Sequence, residues 1–240
     1  MVKQKKRRHI KNLFINLIII FVLLIGLALV FNNQIKNFLI KQNGETYAVS
    51  NQTPQSIKKN EEATVSYDFD AIEPASSEAV LRAQLSNKKL PVIGGVALPS
   101  VAINLPIFKG LSNEALLWGA GTLSADQEMG RGNYALASHR AYEPDLLFSP
   151  LEKVSVGDTI YLTDLTNIYT YRTISKERVE PTRVDVLDEI PGKKLITLIT
   201  CGEIGGITRI IVQGELTKTT PVDDASDAML TAFEMEQKTY

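Results

Sequence analysis

The segment "NLFINLIIIFVLLIGLALVFNN" carries a run of 19 residues, Leu13 to Phe31, broken only by Asn16 and Gly26. As a helix it is about 28 Å long, close to the hydrocarbon thickness of a bilayer. With Lys3, Lys5, Lys6, Arg7, Arg8 and Lys11 in front of it and no acid before residue 32, so long a run reads as a membrane span rather than a core helix. A cleaved signal peptide has a shorter apolar region ending in a small-x-small site, whereas "ALVFNNQIKNF" offers bulky residues. An uncleaved anchor is therefore expected. Lysines and arginines stay on the cytoplasmic side, which puts the rest of the chain outside the cell. The organisation read from this is a cytoplasmic basic segment at 1–12, an anchor at 13–31, a polar stalk at 32–87 and a folded domain at 88–240.

The formal net charge of the whole chain is -1, so the part beyond the basic head is acidic. That argues against nucleic acid as a partner, because phosphate binding needs a basic face. The stalk shows no sustained period, although "SSEAVLRAQL" has the signature of a short helix with Ser76 or Ser77 as N-cap and Glu78 in its first turn. From Leu90 onward, short apolar runs alternate with turn residues: "VIGGVALPS", "VAINLPIF", "YALASH", "TIYLTD", "IYTYRTISKERV", "KKLITLIT" and "TRIIVQGEL". This is the pattern of an all-β barrel or sandwich. "NEALLWGAG" reads as a helical turn, and "DASDAMLTAF" as a terminal helix capped by Ser226 or Asp224.

Cys201 is the sole cysteine. Outside the cytoplasm it has no internal partner for a disulfide, which leaves a packing residue, an intermolecular bridge or a reactive thiol. Reading "LITLITC" as a strand puts Leu195, Thr197, Ile199 and Cys201 on one face. The return through "GEIGGI" into "TRIIVQGEL" predicts an antiparallel hairpin with Cys201 opposite Arg209, Ile199 opposite Ile211 and Thr197 opposite Gln213. A guanidinium beside a thiol favours the thiolate and can hold an oxyanion. Of the two histidines, His9 lies in the basic head, so His139, ending "NYALASH", is the one available outside.

One Cys, one His and one Arg at strand ends make a nucleophile, an acid/base and an oxyanion donor, the requirements of acyl transfer through a thioester. Free thiols titrate near about 8.5 and imidazoles near about 6.5. A shifted imidazolium pair and a small reactive thiolate fraction both fit that start. One His and one Cys are too few for a zinc site. "GEIGGIT" lacks the lysine and the following helix of a phosphate loop. A papain-like enzyme would place its cysteine early, on a helix, ahead of its histidine.

"TLITC" at Thr197 to Cys201, Arg209 eight residues on, and "ASH" ending at His139 resemble the sortases, most closely those of class A. The resemblance runs from Leu90 to Leu216 and includes "PVIGGVALPSVAINLPIFKGL", "GAGT", "LFSPL" and "GDTIYLTD". It implies a closed eight-stranded sortase-type β-barrel with short helices behind an N-terminal transmembrane helix. It implies that Cys201 attacks the Thr–Gly carbonyl of an LPxTG-type sorting signal on a secreted protein. His139 would then serve the leaving and incoming amines, and Arg209 the oxyanion, with help from Thr200. The acyl-enzyme would pass to the amine of lipid II or a peptidoglycan cross-bridge at the outer face of the cell membrane. Groove residues implied are Ala97, Pro99, Leu105, Ser138, Ile199, Thr200 and Ile211. No calcium requirement is expected, since "IFKGLSNEA" offers Lys109 and a single acid, Glu114. A lid motif is not evident in the stalk, and the lack of a second apolar span argues against the pilus-polymerising class C. The alternative is a catalytically degenerate, wall-associated β-barrel binding module, which would have no reason to keep all three site residues.

Overall fold

Alternation from Val92 onward builds eight strands: β1 (Val92–Leu98), β2 (Ile103–Phe108), β3 (Ala120–Thr122), β4 (Asn133–Ala137), β5 (Thr159–Thr163), β6 (Asn167–Val179), β7 (Leu195–Cys201) and β8 (Arg209–Pro221). The computed structural model describes residues 2–31, 46–86 and 88–240. The strands close into a barrel in the order β1-β2-β3-β4-β7-β8-β6-β5. Closure leaves no sheet edge unpaired. Only the β2–β3 and β4–β7 pairs are parallel. Inside the barrel, Val96, Leu98, Leu105, Ile107, Leu136, Ile160, Leu162, Ile196, Leu198 and Val212 form one buried cluster. Inward Ile196 and Leu198 leave Thr197, Ile199 and Cys201 on the outer face of β7, as the period of two requires.

The chain divides into two units, Met1–Ile40 and Lys41–Tyr240. In the first, helix α1 spans Val2–Val30, and its stretch Asn12–Val30 is long and apolar enough to cross a membrane. Its large apolar side chains from Leu13 to Phe31 are exposed on every side, a surface that suits lipid rather than water.

In the second unit the structure corrects the extent of the stalk. Residues 32–45 of that expected segment lie outside the described residues, but from Val49 onward the chain packs on the barrel. Helix α2 (Pro54–Glu61) starts in a capping box, with Thr53 accepting from Ser56 N–H and Ser56 from Thr53 N–H. It buries Ile57, and Asn60 donates to the Val92 carbonyl at 2.9 Å. Val49 covers Gly95 so closely that a β-carbon there would lie 3.0 Å from Val49 Cγ1. This is why β1 is buried on both faces. A fragment starting at Leu81 loses these contacts. It is expected to be less stable than one starting at Lys41 by on the order of 3 kcal/mol, the worth of two buried aliphatic side chains. Urea denaturation of the two fragments checks this, and equal midpoints would show that the packing contributes nothing.

Helix α3 (Ser77–Leu85) forms as expected, with Ser76 as N-cap accepting from Ala79 N–H at 3.1 Å. Helix α4 (Asn113–Trp118) and the terminal helix α5 (Asp227–Ala232) also fall where the sequence puts them, α5 with Ser226 as its N-cap residue. Strand β3 was not foreseen: it is three residues long, too short for a period of two to show.

Candidate active site

The β7–β8 ladder has the expected register, with Thr197 opposite Gln213, Ile199 opposite Ile211 and Cys201 opposite Arg209. Cys201 closes β7 and is partly exposed. The seven residues between the two strands include Gly205 (φ 101°) and Gly206 (φ 69°), a backbone that a residue with a β-carbon adopts only with strain. A β-carbon at Gly206 would stand 3.5 Å from Cys201 Sγ and 3.2 Å from Arg209 Nη1, so thiol and guanidinium surround one point. Arg209 Nη1 donates to the carbonyls of Gly206 (2.7 Å) and Thr208 (3.1 Å), which are its only acceptors among the described residues. Its other N–H groups remain for a substrate oxygen.

His139 arrives from β4. Parallel pairing sets Ala137 level with Ile199, Ser138 N–H donates to the Ile199 carbonyl at 3.2 Å, and Thr200 Oγ1 donates to the Ser138 carbonyl at 2.9 Å. Ala137 and Ile199 are the last pair of this ladder, and His139 and Cys201 each lie two residues further along, at the ends of the neighbouring strands β4 and β7. His139, Cys201 and Arg209 line a single cleft of about 200 Å³.

Burial pushes the His139 imidazole down to about 4, below the ordinary value of about 6.5. The ring is therefore neutral at rest at neutral pH. The unfolded chain takes up this proton below about pH 6.5 while the folded chain resists it down to about 4. The contribution to stability is full above pH 6.5 and is lost as pH falls through that window, on the order of 3 kcal/mol. Denaturation of wild type and His139→Gln at pH 7 and 4.5 should show a shallower acid loss in the variant. Parallel pH profiles would mean that His139 carries no such penalty.

Of the implied groove residues, Ser138, Ile199 and Thr200 line the cleft. The hydroxyls of Ser138 and Thr200 are engaged: Thr200 ties β7 to the residue after β4, and Ser138 Oγ, donating to the Gly119 carbonyl at 2.6 Å, ties that residue to the turn before β3. Ala97, Pro99 and Leu105 lie elsewhere. Ala97 and Leu105 are buried in the β1–β2 wall, Pro99 opens a 3-10 turn, Pro99–Val101, and none borders the cleft. Ile211 also stays out, buried with Val179 and Ile199 on the outer face beneath Val186 and Leu187.

The cleft wall that the sequence did not show comes from residues 63–76, the strap joining α2 to α3. Phe69, Ile72, Glu73, Pro74 and Ala75 face the thiol side, and Ile72 packs with Leu111, Leu116 and Ala137. The strap is pinned at each end, by Leu111 N–H donating to the Ser66 carbonyl (2.7 Å) and Glu73 N–H to Asn113 Oδ1 (2.8 Å). Its polar composition carried no periodic signal.

A thiol, a neutral imidazole and a guanidinium at the rim of a closed barrel make the site of a thiol acyltransferase. The sortase domain family matches residues 96–217. The chain is 43% identical to sortase A of Streptococcus agalactiae over 237 residues, 96% of either protein. It is 40% identical to sortase A of Listeria monocytogenes over 203 residues, 84% of this chain and 91% of that one. The solved structure of Listeria monocytogenes sortase A aligns with a TM-score of 0.55 at 41% identity, covering 59% of this chain and 97% of that one. The chain belongs to the sortase family, and within it to class A.

Proposed function

We propose that this sortase cleaves LPxTG-type signals between Thr and Gly and joins the Thr carbonyl to an amine of a peptidoglycan precursor. The observation that carries the reading is the convergence of Cys201, His139 and Arg209 on one cleft from β7, the end of β4 and β8. As Cys201 Sγ attacks the Thr carbonyl, its proton passes to the His139 imidazole. In a buried ring that transfer becomes favourable once negative charge develops beside it. Arg209 N–H groups receive the oxyanion. The Thr–Gly C–N bond then breaks, the imidazolium protonates the departing glycine amine, and a thioester remains on Cys201. The incoming amine gives its proton to His139, attacks the thioester and releases the thiol.

The helix Val2–Val30, basic before its apolar part, supports a single-pass anchor with its N-terminus in the cytoplasm and the barrel outside. The reaction needs no metal as written. The charged residues of "IFKGLSNEA" are engaged, Lys109 with the Glu61 carbonyl and Glu114 with Lys88, which supports a calcium-independent enzyme. Incubating the full chain in detergent, and its fragment 41–240, with an LPxTG peptide and an oligoglycine or alanine amine tests the reading. Cleaved and amine-linked products, with a thioester adduct on Cys201 by mass spectrometry, are expected from both. Unchanged peptide and no adduct would leave a degenerate binding module.

A further inference from the structure

The three site residues are reached from different parts of the chain, and their immediate neighbours are joined by a run of charged side chains. Arg140, next to His139, donates to Glu152 Oε2 at 2.8 Å. Arg178, near the end of β6, donates through Nη2 to both Glu152 oxygens (2.9 and 3.0 Å) and through Nη1 to Glu203 Oε2 at 2.9 Å. Glu203, two residues after Cys201, accepts from Thr208 Oγ1 at 2.8 Å and from Thr208 N–H, and Thr208 precedes Arg209. Arg178 Nη1 also reaches Thr208 Oγ1 at 3.1 Å. The run thus begins beside the histidine, crosses Glu152 and Arg178, and ends on both flanks of the loop joining the cysteine to the arginine.

Gly202 shows how tightly this run closes. A β-carbon there would lie 2.0 Å from Thr208 Oγ1 and 2.4 Å from Arg178 Nη1, so only hydrogen fits between the thiol residue and the network. Glu152 and Glu203 are both held below the ordinary carboxylate range, Glu152 chiefly by the Arg140 hydrogen bond and Glu203 by Thr208, so the run stays charged. The Arg178 and Glu203 side chains are 43% and 37% exposed, and pairs so exposed contribute little to global stability. What the forked guanidinium of Arg178 supplies is direction: one planar group sets two carboxylates at defined angles.

We infer that Arg178, with Glu152 and Glu203, is a positioning residue that holds the His139 loop and the Cys201–Arg209 loop in reactive register. The inference rests on the proposed roles of Cys201, His139 and Arg209. Arg178 touches no reacting atom, so its loss acts on the chemical step through misplacement of the triad.

The experiment is steady-state transpeptidation by the full chain and its variants, with an LPxTG peptide and an oligoglycine amine, beside thermal unfolding. Arg178→Met is expected to lower kcat about 3- to 10-fold with KM within about twofold and Tm within a few degrees. Arg178→Lys should recover part of kcat, because one ammonium cannot fork to both carboxylates. Glu203→Gln should lower kcat similarly, and the double variant should fall no further than the worse single, since one break severs the run. Wild-type kcat in Arg178→Met, a loss confined to KM, additive losses, or a kcat loss tracking a large drop in Tm would each overturn the inference. Inactive wild type with no Cys201 adduct would instead strike the function itself, so the two failures are distinguishable.

Discussion

Cys201→Ala is expected to abolish both peptide cleavage and transfer, to below about 10⁻³ of the wild-type rate, because the thioester is the sole route by which the acyl group is held for the amine. The same variant should show no mass adduct with peptide. Its fold should be undisturbed, since Cys201 sits partly exposed at the end of β7 and its backbone pairing with Arg209 is kept. Unfolding temperature and circular dichroism therefore serve as controls. Residual turnover well above that level in a folded variant would mean that water or amine reaches the peptide carbonyl directly.

Arg209→Lys should lower kcat by about tenfold or more while preserving charge. The reason is the division of labour on one guanidinium. Nη1 holds the Gly206 and Thr208 carbonyls, fixing the glycine loop beside the thiol. The remaining N–H groups are the ones the proposed mechanism assigns to the oxyanion. An ammonium on a flexible stem can replace one of these tasks. Steady-state kinetics with an LPxTG peptide separates the outcomes: a fall in kcat with little change in KM marks transition-state stabilisation. A rate near wild type would leave Arg209 with the loop alone.

Much of the site was legible because its main element is local. The hairpin from Leu195 to Glu215 has a period of two on both strands and a short glycine-rich return, and these specify its register. The N-cap serine of α3 and the apolar run of α1 are equally local signals. The groove was read less well. Ala97 and Leu105 are apolar and lie in strands, and closure of the barrel places them in its wall. The strap was hidden for the opposite reason: Phe69 and Ile72 lie in a polar stretch whose contacts with Leu116 and Ala137 are wholly non-local.

The sequence by itself determined the membrane-spanning length, the strands other than β3, the Cys201–Arg209 pairing and the identity of the histidine available to them. Each depends on residues close in the chain or on counting residue types. Only the tertiary structure decided that His139 and Cys201 share one cleft, at the ends of the parallel β4–β7 pair, that the strap walls that cleft, and that Arg178 bonds both Glu152 and Glu203. Parallel pairing joins segments that are distant in sequence, and barrel closure chooses which faces meet; no local period encodes either.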